Sequence, residues 1–170
     1  FESVFGKNGD AITMDEVTEI TDYIQEKTKS STEVIWGNGI DEQLEDKISV
    51  TIIATGHLVW KALEAADVLA EKGISAEVIN IHTIKPIDEE AILKSVSKTH
   101  CVVTAEEHML NGGLGDSVAQ ILGQKLPSPM EMVGVNDVFG ESGKPNELMV
   151  KYGLDTPNIV EAAQKVIKRK

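Results

Sequence analysis

Apolar residues recur along this chain first at helical spacing, then in a repeating strand and helix rhythm. Thr13-Met14-Asp15-Glu16 has the form of a capping box, with Thr at the N-cap and Glu three residues on. Val17, Ile20 and Ile24 follow at helical spacing and predict a helix over 14–29, ended by the polar stretch Lys29-Ser30-Ser31-Thr32. Glu33 to Trp36 reads as a short strand, and residues 37–46 as a polar, turn-rich connection. Residues 47–55 (KISVTIIAT) form the strongest strand signal, and Val50, Ile52 and Ile53 mark it as central and buried on both faces. These two strands are joined too closely for a crossover helix, so they are expected to pair antiparallel as a hairpin.

Alternation then takes over. Thr55-Gly56 turns into a helix over 58–72 whose inner face carries Leu58, Ala62, Ala65 and Leu69, and Gly73 ends it. A strand over 76–82 follows, then a turn at Lys85-Pro86-Ile87, with Asp88 as N-cap of a helix over 89–97. Residues 100–105 form a strand, residues 115–124 a helix and residues 130–135 a last strand. A short helix over 146–151 and a terminal one over 157–168 complete the chain. Five strands separated by helices in the later part imply a single α/β domain over residues 1–170. Its sheet is mixed but mostly parallel and is covered on both faces. Phe1 to Phe5 leave a sixth strand open.

Composition narrows the picture. With 170 residues, 41% of them hydrophobic, the chain suits one core. The net charge of −12 disfavours nucleic acid and anionic membrane surfaces as partners. Residues 1–49 carry 12 acidic and 4 basic side chains against 16 and 12 in the remainder, which hints at a seam. One cysteine, Cys101, lies in an apolar run and reads as a buried structural thiol in a reducing, cytoplasmic compartment. Apolar runs fall short of a membrane span, and no signal peptide is visible.

Three segments could carry chemistry. Gly112, Gly113 and Gly115 open a helix whose free N–H groups form a candidate anion site. Asp116 would oppose an anion there, and close helix–strand packing explains the glycines equally well. Glu106-Glu107-His108 lies just past a strand's carboxyl end, where α/β folds bind ligands. Carboxylates beside a histidine could act as acid, base or metal ligand, or form a loop network. Phe139-Gly140-Glu141-Ser142-Gly143 reads as a plain turn or an exposed partner surface. His57, His82 and His100 lack ligand spacing, and Trp36 and Trp60 are expected to pack.

From about residue 47 to residue 170 the chain resembles the carboxyl-terminal domain of transketolase. The resemblance rests on VTIIATGHLVWKALEAADVLAEKGISAEVINIHTIKPID, CVVTAEEHMLNGGLGDSVAQIL and VGVNDVFGESGKPNELMVKYGL. It implies three α/β/α layers around a five-stranded sheet in the order 1-3-2-4-5, with strand 1 antiparallel. It also implies that the Phe139 loop lies near a domain and subunit contact. Over about residues 1–56 the chain resembles the carboxyl-terminal domain of FtsZ, the tubulin-like cell-division GTPase, on AITMDEVTEITDYIQEKTKSSTEVIWGNGIDEQLEDKISVTIIATG. The two resemblances share the strand VTIIATG, which implies a chimera, engineered rather than natural, divided at residues 1–49 and 50–170.

Thiamine diphosphate and Mg²⁺ belong, in the transketolase family, to domains absent from this stretch, and the FtsZ nucleotide loop is absent too. The resemblances therefore imply no catalytic residue, no bound cofactor and no metal in this chain. The first expectation is a non-catalytic chimeric domain, with self-association through a transketolase-type surface. The alternatives are the carboxyl-terminal section of a split transketolase, active only with a partner subunit, and an FtsZ-type interaction module.

Overall fold

The computed structural model describes residues 33–36 and 48–170. The helix expected over 14–29, its apolar positions Val17, Ile20 and Ile24, and the segment Phe1–Phe5 lie outside the described residues. Strands β1 (Glu33–Trp36), β2 (Val50–Ala54), β3 (Ala76–Asn80), β4 (Val102–Met109) and β5 (Met130–Val135) form one sheet in the order β1-β3-β2-β4-β5. The pairs β2–β3, β2–β4 and β4–β5 are parallel. Helices α1 (Leu58–Glu71), α2 (Glu89–Thr99), α3 (Leu114–Lys125), α4 (Pro145–Lys151) and α5 (Thr156–Ile167) alternate with the later strands. This is the α/β architecture that the alternation predicts.

The pairing of β1 differs from the expected hairpin. β1 runs antiparallel to β3, with Val34 opposite Ile79 and Trp36 opposite Glu77, and makes no ladder with β2. Both sides of β2 are taken by parallel partners, so β1 can join only at the outer edge. The connection over 37–49 is far longer than a tight hairpin turn and leaves that choice free.

All five β2 residues are buried, as their apolar run requires. Val50, Ile52 and Ala54 face a cluster completed by α1 and α5, while Ile53 faces a second cluster with α2 and α3. Helices therefore cover both faces of the sheet. The exception within β2 is Thr51, whose Oγ1 bonds Ser95 Oγ and Thr99 Oγ1, each at 2.7 Å. Ser95 donates in turn to Glu77 Oε2 at 2.7 Å, which satisfies a buried polar seam between the sheet and α2.

Local signals place the helix ends. Gly73, at φ +74, closes α1 in the left-handed conformation that a residue with a Cβ avoids. Asp88 Oδ1 accepts from the Ala91 N–H at 3.0 Å and caps α2. His100, expected to open a strand, instead ends α2 with φ +57. The following strand begins at Val102 and runs on to Met109, past the expected end at residue 105. Its register explains the extension. Ala105 faces Val133 and Met109 faces Val135, so β4 spends extra residues in an irregularity that carries Glu106, Glu107 and His108. Trp60, expected to pack, is 69% exposed on the outer side of α1.

Candidate functional site

The candidate residues gather at the carboxyl edge of the sheet. There β2 and β4 lie side by side, and the crossover from β2 leads to β3 on one side while that from β4 leads to β5 on the other. Such a switch opens a crevice in α/β folds. Here a cleft of about 460 Å³ is lined by Thr55, Gly56 and His57 after β2, Glu106, Glu107 and His108 of β4, and Gly112, Gly113 and Ile84.

Glu106 organises this edge. It is 1% exposed, and its carboxylate accepts from the Leu114 N–H at Oε2 and the Gly115 N–H at Oε1, each at 2.7 Å. The candidate anion site at Gly112, Gly113 and Gly115 thus already holds an anion, supplied by the chain itself. Favourable interaction of a carboxylate with a helix amino end follows from the free N–H groups and the helix dipole. Asp116 Oδ2 accepts from the Gly112 N–H at 2.5 Å, so its carboxylate closes the turn. The glycines are fitted to Glu106: a Cβ on Gly113 would stand 2.0 Å from Glu106 Oε2. A Cβ on Gly115 would stand 2.9 Å from Met132 Sδ and 3.1 Å from Thr104 Oγ1.

Glu107 and His108 stay exposed. His57 Nδ1 lies 3.0 Å from Glu107 Oε2, a pair fifty positions apart that β2 and β4 bring together. Nothing in the spacing signals it, because only the strand order makes those segments neighbours. His108 Nδ1 bonds the Met109 carbonyl at 2.8 Å, and His82 Nδ1 bonds Thr83 Oγ1 at 2.6 Å. The His57–Glu107 pair could exchange a proton with a bound molecule, and among the described residues Thr55 is the one hydroxyl in the cleft lining, with no Ser, Cys or Lys beside it. Among the described residues no group of three or more His, Cys, Asp or Glu side chains is placed to hold a metal ion.

Charged and thiol groups elsewhere are tied to the scaffold. Burial works to raise the Glu131 carboxyl, but hydrogen bonds and charge from Lys165 and Arg169 outweigh it and hold the group below its ordinary value. Arg169 Nη1 also donates to the Met130 carbonyl at 2.8 Å on the edge strand β5, which blunts that edge. Cys101 is fully buried beside the Ser49 carbonyl, its Sγ 3.4 Å from that oxygen, and burial pushes its thiol up against a smaller opposing effect of Lys170. A thiol reagent in excess should therefore label the native chain only as fast as it opens, and rapidly in urea. Stoichiometric labelling of the folded chain within mixing time would contradict this burial.

Residues 41–159 match the family model for the transketolase C-terminal domain. The model for the C-terminal domain of the FtsZ family matches residues 5–57. A 6-deoxy-6-sulfo-D-fructose transketolase subunit from Clostridium sp. is 53% identical over 121 residues, covering 71% of this chain and 38% of that protein. A protein named as a putative transketolase C-terminal section, from Methanocaldococcus jannaschii, is 43% identical over 150 residues, covering 83% of this chain and 46% of that protein. A solved structure described as a split gene transketolase, inactive beta4 tetramer, is 49% identical with a TM-score of 0.69, covering 71% of this chain and 39% of that one. The chain thus spans less than half the length of these relatives.

The edge described above does not fit the cofactor of the transketolase family. A diphosphate at the amino end of α3 would need the N–H groups that Glu106 and Asp116 already occupy, and would meet both carboxylates.

Proposed function

The chain belongs to the transketolase C-terminal domain family, and from that premise we propose that it is the carboxyl-terminal section of a split transketolase. In this reading it supports thiamine-diphosphate-dependent ketol transfer only in company with a partner subunit, which holds the cofactor and Mg²⁺. Its own part is to supply a rigid α/β scaffold for assembly, in a reducing cytoplasmic setting, and it self-associates as the beta4 relative is described as doing. The observation that carries the reading is the 53% identity to a protein named as a transketolase subunit. The chain's own occupation of its α3 amino end supports a scaffold role rather than an independent catalytic centre.

The test is reconstitution. The purified chain is assayed for ketol transfer with thiamine diphosphate and Mg²⁺, alone and mixed with a transketolase amino-terminal section. Turnover is expected only in the mixture. Turnover by the chain alone, or inactivity of a mixture in which the two proteins bind, would overturn the reading.

A second reading keeps the two-family origin: an engineered domain that joins an FtsZ-like segment to a transketolase-like one and retains FtsZ-type contacts. The match of the FtsZ C-terminal model to residues 5–57 favours it. The extent of the transketolase likeness weighs the other way. The M. jannaschii match covers 83% of 170 residues, about 141, so it begins no later than about residue 30, ahead of the expected seam. Co-sedimentation with FtsZ filaments would favour the second reading.

A further inference from the structure

Asn111 and Gly112 sit in the turn that joins β4 to α3, and both are exposed. Gly112 has φ +84, and a Cβ there would meet nothing within 4 Å, so the space around it is open. Its N–H is engaged all the same, because Asp116 Oδ2 accepts from it at 2.5 Å. Asparagine followed by glycine is a chemically labile pair, since glycine has no side chain to keep its nitrogen away from the asparagine amide. Two further pairs, Asn8-Gly9 and Asn38-Gly39, lie outside the described residues.

We propose that Asn111-Gly112 is a site of spontaneous covalent modification, and that Asp116 holds it shut while the first turn of α3 is formed. The Gly112 nitrogen loses its proton and attacks the Asn111 side-chain carbonyl carbon. A C–N bond closes a succinimide ring, the bond from that carbon to the side-chain nitrogen breaks, and ammonia leaves with the proton. Water then opens the ring at one carbonyl or the other, giving aspartate or isoaspartate. Water is the only co-reactant, and nothing is oxidised or reduced.

Asp116 could act on this step in two directions. As a base it could take the Gly112 proton. A carboxylate is, however, a far weaker base than the amide anion that would result, and that anion would form 2.5 Å from a negative charge that disfavours it. Ring closure also strips the nitrogen of its hydrogen, so the bond to Asp116 is lost in the product. Both effects put the bond on the side of protection. The turn is held on its other side as well, where Gly113 packs against the Glu106 carboxylate that Leu114 and Gly115 fix. Reaction therefore waits for a local opening of this turn.

Peptide mapping by mass spectrometry tests this on the whole chain, incubated at mildly alkaline pH, folded and in guanidinium. Conversion at Asn111 should be at least about tenfold slower in the folded chain, the factor expected of one charge-assisted hydrogen bond. Aspartate and isoaspartate should both appear. Asp116→Ala should recover most of the tenfold factor, while Thr51→Val, which weakens the remote seam on α2, should recover little. Asp116→Asn keeps the shape and an acceptor oxygen; it carries the test where alanine costs the fold, and should recover a smaller part. Circular dichroism and urea midpoints establish that each variant is folded. Equal rates in the folded and unfolded chains, no gain from either Asp116 variant, or an equal gain from Thr51→Val would overturn the protective role. Aspartate without isoaspartate, or an Asn111 that stays intact in guanidinium, would remove the site itself.

Discussion

Glu106→Ala is expected to destabilise the chain by about 3 kcal/mol, a large share of the margin of a domain this size. The carboxylate is buried and accepts from two consecutive N–H groups of the first turn of α3. Alanine removes both acceptors and the charge that sits at the positive end of the helix, and it leaves a hole beside Gly113. The neighbouring Asp116 cannot substitute, because it is engaged with the Gly112 N–H. Glu106→Gln keeps the shape and one acceptor oxygen but turns an amide N–H₂ toward a second donor, so about half the loss is expected. The measurement is urea unfolding, in which the midpoint should fall with little change in slope. An unchanged midpoint for Glu106→Ala would mean that water replaces both bonds without cost and that the edge is not organised by this residue.

That role shows what the sequence could and could not reveal. The apolar periods of Leu58, Ala62, Ala65 and Leu69, and of Val50, Ile52 and Ile53, identify a helix face and a buried strand, because burial is periodic with the element itself. Gly73 and Asp88 place helix ends because a positive φ and a capping carboxylate are local requirements. The glycine cluster before α3 is also visible, and so is its capacity for an anion. The identity of that anion is not visible, since Glu106 enters from another element. The strand also continues through the polar residues Glu106, Glu107 and His108 to Met109, beyond the apolar run that marks it in the sequence. Likewise the partner of β1, the His57–Glu107 pair and the Thr51–Ser95–Glu77 seam depend on strand order and on long-range packing. Such contacts are set by the whole sheet and leave no trace in spacing.

Gly113→Ala should cost about 2–3 kcal/mol, and the reason is the carboxylate rather than the backbone. Gly113 has φ −102 and ψ −152, a conformation close to extended that alanine can approach. The obstacle is the added Cβ, which would stand 2.0 Å from Glu106 Oε2 and 2.7 Å from its Cδ. Such a clash is cheap when the opposing group is a free side-chain end that can swing aside. Here the end is fixed by its bonds to Leu114 and Gly115, so moving it gives those bonds up. The two substitutions must therefore be coupled. In a Glu106→Ala background the methyl group enters space that the carboxylate has vacated, and Gly113→Ala should then cost less than about 1 kcal/mol. A double-mutant cycle in urea should return an interaction energy of about 1–3 kcal/mol, far outside the error expected for independent sites. Additive losses would show that the glycine answers to some other constraint. They would leave the fit between this glycine and the internal carboxylate without energetic weight.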